Sequence, residues 1–157
     1  MGARVSRPII FPPTVRAARA TTKSRVRFLV FDFNKMNWIS LLWIALGGAA
    51  GSVIRALVGM ALHSRFPWAT LLVNTVGSFM IGWLMTRLGG IEPLGMSRWH
   101  ALLVVGFCGG FTTFSTFSWQ TLELMQRGEW SAAIGNVVLS VSLCLAGVWF
   151  GFRLARA

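Results

Sequence analysis

The apolar positions of this chain fall into four blocks separated by short polar breaks. A helix needs about 20 residues to cross a hydrocarbon core ~30 Å thick. On that measure the pattern predicts membrane spans over 38–62, 67–88, 99–124 and 132–153. Trp38, Trp43, Trp68, Trp99 and Trp130 lie near the proposed ends, where amphipathic rings anchor at the interface. In the first block Gly47, Gly51, Arg55 and Gly59 recur every fourth residue, with Gly48 and Ser52 alongside. That stripe predicts a face open to close backbone approach. Thr70, Asn74 and Ser78 share one face of the second block, and Asn136, Ser140 and Cys144 one face of the fourth.

The third block departs from this regularity. Residues 106–120 read Gly-Phe-Cys-Gly-Gly-Phe-Thr-Thr-Phe-Ser-Thr-Phe-Ser-Trp-Gln, which is poor helix material. Glycines such as Gly109 and Gly110 cost about 1 kcal/mol each relative to alanine inside a helix. Thr112, Thr113, Ser115 and Thr116 compete for backbone hydrogen bonds. An interrupted helix survives in hydrocarbon only where its freed backbone groups are buried in protein or line a polar cavity. A helix broken at mid-span, carrying hydroxyls and closely spaced phenylalanines, is therefore a candidate ion site.

Composition narrows the class. With 55% of residues hydrophobic and 12% charged, the chain reads as an all-α membrane protein with short loops and no soluble domain. Cys108 and Cys144 lie in separate spans without metal-ligand spacing and read as small buried side chains. His63 falls in a loop and His100 at a helix end, too sparse for metal chemistry. No nucleophile–base pair can be assembled, so an enzyme is not expected.

The net charge of +11 is unevenly spread. Eight of the fifteen basic residues lie in residues 1–35, opposed there by Asp32 alone, whereas from Met36 onward seven arginines face three glutamates. Residues 1–35 read as a basic, disordered extension and 36–157 as the membrane domain. Beside four spans, such an extension suits anionic lipid better than nucleic acid. It superficially resembles a transit peptide, and the abrupt change at Met36 fits a true start there equally well. Among loop charges, Arg87, Arg98, Arg153 and Arg156 collect on one side, Arg65 and Arg127 on the other. This weak bias allows insertion in both orientations and pairing with an inverted copy, unless the basic extension fixes its own side in the cytoplasm.

The polar positions bear on the kind of ion. A mid-span amide such as Asn74 is costly unless satisfied, and fits a buried network or a pore wall. Asn, Ser and Thr both donate and accept, so polarity leaves the sign of the ion open. No Asp or Glu lies in the interior of a predicted span, Glu123 sitting at the end of the third, whereas proton-coupled transport usually needs an intramembrane carboxylate or His. Arg55 is the one charge away from the ends of the spans; it favours a nearby anion or snorkels to helix-end carbonyls. Phe107, Phe111, Phe114 and Phe117 fit ordinary packing, yet ring edges carry partial positive charge and can assist an anion through a dry passage.

Gly106-Phe-Cys-Gly-Gly-Phe-Thr-Thr-Phe-Ser-Thr-Phe117 resembles the signature of the Fluc fluoride channels, also called CrcB. The likeness extends through Gly47-Gly-Ala-Ala-Gly-Ser-Val-Ile-Arg55, Thr70-Leu-Leu-Val-Asn74-Thr-Val-Gly77 and Asn136-Val-Val-Leu-Ser140, covering all four spans in the family's order. The resemblance implies a passive fluoride exporter in the bacterial plasma membrane, built as an antiparallel, dual-topology dimer with two fluoride pathways. It implies a structural sodium ion at the dimer centre, held by the backbone carbonyls of Gly109 and Thr112. The fluoride pathway would comprise Asn74, Phe114, Ser115, Thr116, Phe117 and Ser140, with Arg55 near the vestibule. A homodimer is expected; a heterodimer with a paralogue is the variant some members adopt.

Two positions depart from the family pattern: Gln120 stands where a Glu is often found, and Cys144 where the polar track commonly continues with a hydroxyl. A thiol donates more weakly. Gln120 either alters a vestibule charge or marks one half of a heterodimer. The main alternative is a small four-span, dual-topology multidrug exporter, which needs the missing membrane carboxylate. A non-transporting assembly subunit is a further one.

Overall fold

The computed structural model describes residues 38–88 and 97–157, so the expectation for residues 1–35 lies outside the described residues. Among the described residues every regular element is helical. Helix α1 spans Trp38–Ala61 and α2 spans Trp68–Arg87. The third crossing is built in pieces: α3 (His100–Cys108), with widened π-type turns, then the short α4 (Gly109–Phe111) and α5 (Phe114–Gln126). Helix α6 spans Trp130–Arg156. Four stretches are long and apolar enough to cross a membrane, Trp38–Ala61, Trp68–Arg87, His100–Gln126 and Trp130–Arg156. These agree closely with the apolar blocks. The fourth runs a few residues longer at each end, starting at Trp130 straight after the tight turn at Gly128, whose φ of 76° suits glycine.

The architecture rests on two helix pairs, α1 against α3 and α2 against α6. Glycine decides both contacts. A Cβ at Gly47 would lie 2.8 Å from the Phe107 nitrogen, and one at Gly51 would lie 2.8 Å from the Phe111 nitrogen. From the other side, a Cβ at Gly106 would lie 2.7 Å from the Ile44 carbonyl oxygen. The stripe legible in the first block therefore meets a glycine pair, Gly106 and Gly110, on its neighbour. In the second pair, a Cβ at Gly147 would lie 3.0 Å from the Thr75 carbonyl oxygen, and one at Gly151 2.9 Å from the Trp83 nitrogen. Contact positions advance together in both pairs, so each runs parallel. In lipid, where apolar burial gives little drive for association, such backbone-to-backbone packing supplies the attraction.

The interruption of the third crossing falls later than its glycines. Gly109 is helical, with φ −62° and ψ −38°. The chain becomes extended at Thr112 (φ −85°, ψ 159°) and Thr113 (φ −155°, ψ 114°). Gly106 and Gly110 are spent on packing against α1, and the threonines make the break.

Gly51→Val should push α1 and α3 apart, at a cost of about 1–3 kcal/mol for overpacking. At Gly135 an added Cβ would meet nothing within 4 Å, so alanine there should leave stability unchanged or slightly raised. Thermal melts of the detergent-solubilised protein, followed by size exclusion, would check the contrast.

Candidate functional site

One side chain holds the break. The Thr113 N–H donates to Asn74 Oδ1 at 2.7 Å, and Asn74 Nδ2 donates to the Thr113 carbonyl at 3.0 Å. The amide of α2 thus satisfies both backbone groups of a single extended residue, as a neighbouring strand would. A primary amide has two N–H groups, and one of Asn74's remains after this pairing.

The diversion has consequences along the chain. In a continuous helix the Thr113 N–H would close on the Gly109 carbonyl, four residues back. Given to Asn74, it leaves that carbonyl without its helical donor. The Thr116 N–H, which would close on the Thr112 carbonyl, goes instead to Thr113 Oγ1 at 3.1 Å as an N-cap. The Thr113 hydroxyl donates in turn to Thr116 Oγ1 at 2.9 Å and lies 3.2 Å from Ser115 Oγ. The Gly110 carbonyl receives the Ser52 hydroxyl at 3.4 Å. Two helix ends therefore meet at mid-span with opposite character. The end of α4 offers carbonyl oxygens, and the start of α5 offers N–H groups at the positive end of a helix dipole. The first suits a hard cation and the second an anion.

A cavity opens onto this point. A cavity of 610 Å³ is lined by His63, Arg65 and Arg127 at the membrane boundary and by Arg55, Thr70, Thr116 and Gln120 along its walls, and it extends to Thr113. The boundary arginines are paired, Arg127 with Glu123 at 2.6 Å and Arg65 with Glu129 at 3.6 Å. Half-buried Arg55 has no ion pair among the described residues, so the vestibule keeps a positive field that concentrates anions. Gln120 presents a buried side-chain oxygen without a donor among the described residues.

The aromatic positions separate into two pairs. Phe107 and Phe111 stack at 5.6 Å. Phe114 and Phe117 sit 5.4 Å apart, tilted by 44°, in contrasting surroundings: Phe117 is 8% exposed and Phe114 79%. Gly109 and Ser115 are exposed as well. Exposed residues thus flank the break along the chain, Gly109 before it and Phe114 and Ser115 after it.

On α6, Ser140 Oγ donates to Asn136 Oδ1 at 3.5 Å, Asn136 Nδ2 to Thr121 Oγ1 at 2.9 Å, and Thr121 Oγ1 to the Phe117 carbonyl at 2.8 Å. The α6 polar stripe is thereby tied to the turn of α5 that carries Phe117. The half-buried Cys144 thiol is free. Of the residues picked out by sequence, Asn74, Thr112, Ser115 and Thr116 gather at the break, with Arg55 on the vestibule wall. Phe114 faces outward, and Ser140 joins α5 through Asn136. Sequence reasoning counted Thr113 among the hydroxyls that weaken the helix but gave it no place in the site, and it passed over Thr121. A hydroxyl residue opening an apolar helix is an N-cap signal and could have found Thr113. Thr121 bonds back to the carbonyl four residues earlier, a habit of helix threonines that carries no functional mark.

An interrupted crossing under a basic vestibule, with backbone donors and acceptors bared at mid-membrane, defines a small polytopic protein equipped to handle ions. Residues 42–152 match the family model for "CrcB-like protein, Camphor Resistance (CrcB)", and the chain belongs to that family. A protein of Opitutus terrae is 50% identical over 116 residues, covering 70% of this chain and 87% of its own. One of Rhodospirillum rubrum is 46% identical over 118 residues, covering 72% and 92%. One of Geobacter sulfurreducens is 44% identical over 122 residues, covering 74% and 97%. All three are named fluoride-specific ion channel FluC.

Asn74→Leu would strip both Asn74 bonds from Thr113 and leave its N–H unpaired, at about 1–3 kcal/mol. The variant should melt well below the parent in detergent; an unchanged melting temperature would show the pair to be dispensable.

Proposed function

We infer that this chain is a fluoride-specific channel, a multi-pass protein of the bacterial plasma membrane that lets fluoride leave the cytoplasm passively. The observation that carries the reading is the Asn74-clamped break at the floor of the basic vestibule, in a chain up to half identical to proteins named for this activity. Hydrogen fluoride enters cells in mild acid and ionises inside, and the membrane voltage then drives the trapped anion out. Fluoride collects in the field of Arg55. It sheds water against the remaining Asn74 N–H, the free N–H groups opening α5 and the hydroxyls of Ser115 and Thr116. It passes the ring edges of Phe114 and Phe117 and reaches Ser140. Fixed donors in a narrow path replace the hydration of a small anion. The multidrug-exporter alternative is not favoured: the relatives are named as channels, and the described spans carry acid only at Glu123, where it pairs with Arg127.

A second copy, inverted in the membrane, fits the outer side of the break, since lipid cannot satisfy an exposed carbonyl or hydroxyl. The partner is a second copy of this chain or a paralogue. The same feature supports a structural sodium ion. The Gly109 and Thr112 carbonyls have lost their helical donors, and hard oxygen ligands of this kind suit sodium. Bound there by both subunits, it would balance the negative helix ends and brace the dimer.

Proteoliposomes loaded with fluoride should discharge it rapidly, while chloride-loaded vesicles should hold their content; equal release of both would overturn the assignment. Phe117→Ile and Phe114→Ile should each abolish fluoride release with the dimer still assembled. Asn74→Asp, by setting a carboxylate in the path, should block the current, and a retained current would remove Asn74 from it.

A further inference from the structure

The bonds between α5 and α6 form a chain with one direction. The Thr121 hydroxyl has a single proton, and it goes to the Phe117 carbonyl at 2.8 Å. Toward Asn136, Thr121 can therefore only accept, and it takes Asn136 Nδ2 at 2.9 Å. That fixes which way the amide lies, because an amide turned over would face one acceptor with another. With Nδ2 held on Thr121, Oδ1 is left facing Ser140, whose hydroxyl donates to it at 3.5 Å. The bonds to either side are short and this last one is long. Asn136 is 1% exposed, so no solvent competes for its orientation, and Thr121 is buried too.

We propose that Thr121 is a positioning residue of the fluoride path, acting through Asn136 to hold the Ser140 hydroxyl on a weak resting acceptor. The proposal rests on the reading of Ser140 as a pathway residue and deepens it. At rest the Ser140 proton is occupied, but by a stretched bond to a neutral carbonyl oxygen. A small, strongly accepting anion draws it away, and when that anion moves on, Asn136 Oδ1 takes it back. The return matters as much as the release: conduction requires that each station bind weakly enough to let go. Without Thr121, the buried amide would lose its reason to keep Nδ2 away from Ser140. Turned over, it would donate to Ser140 Oγ, and the serine proton would lose Oδ1 as its resting acceptor. The station would then hold the anion longer. Thr121 touches no ion in this scheme; it sets how readily Ser140 gives one up.

The test is single-channel conductance in planar bilayers as a function of fluoride concentration. Thr121→Val keeps the shape of the side chain and removes the acceptor. It should lower the half-saturating fluoride concentration at least threefold and lower the maximal conductance with it, whereas a merely structural loss would cut the maximum or the number of open channels. Thr121→Ser, which keeps the hydroxyl, should match the parent in both. In a Ser140→Ala background, Thr121→Val should no longer move the half-saturating concentration. A parental value in Thr121→Val, an equal shift in the Ser140→Ala background, or a like shift in Thr121→Ser would each overturn the relay. Should Thr121→Val fail to assemble, Thr121→Ala, which also lacks the acceptor, carries the same expectations. If Ser140→Ala alone conducts as the parent does, the reading of Ser140 as a pathway residue fails and the relay with it. If Ser140→Ala is altered but Thr121→Val is silent, only the relay fails.

Discussion

Everything distinctive in this structure depends on two hydrogen bonds between the Asn74 amide and the backbone of Thr113. A membrane helix cannot simply stop at mid-bilayer, because each bare peptide group costs several kcal/mol in hydrocarbon. Asn74 removes that penalty at Thr113, whose N–H leaves the helical ladder. With the break secured, carbonyls on one side of it and N–H groups on the other become available to ions. Thr113 completes the arrangement with its own hydroxyl, which caps the helix that follows. A membrane-spanning element is thereby turned into two facing helix ends, and opposite charge preferences arise within a short stretch of chain from backbone atoms alone.

The rest of the fold serves to hold α2 and the third crossing in register so that this pairing can form. Glycine-to-backbone packing does this work twice, through Gly47 and Gly51 on α1 and through Gly147 and Gly151 on α6. Because both helix pairs run parallel with tight contacts, neither can slide by a turn without forcing side chains into a neighbouring backbone. The Asn74 amide is thus presented to Thr113 by helices whose depth in the membrane is fixed elsewhere. Tight small-residue packing and a mid-span interruption are two aspects of one design: the first supplies the rigidity that the second requires.

How much of this could be read beforehand follows from the physics of each feature. The spans were legible because length and hydropathy alone govern membrane crossing, and α1 and α2 begin and end within a residue of the apolar blocks. The glycine stripe of the first span declared its contact face. The break was legible as a fact but not as a place. Gly109 and Gly110 stay helical, because what ends the helix is competition from threonine hydroxyls and from Asn74, a partner 39 residues away along the chain. Local propensity cannot register so distant a competitor. The π-type winding of α3 left no trace in the sequence either. Among site residues, Asn74 declared itself by being a costly amide in an apolar run. Thr121 and Asn136 gained meaning only once their bonds gave them direction.

The bared Gly109 carbonyl and the outward Phe114 ring also bear on how the molecule behaves at low abundance. If a second copy covers the break, as proposed above, a solitary copy would present unsatisfied oxygen to acyl chains, a penalty that pairing would relieve. Working protein should then scale more steeply than in proportion to the amount inserted when copies are sparse, and linearly once they are crowded. A cell making little of this chain would gain disproportionately from a small increase in expression, a dosage response written into the geometry of one helix terminus.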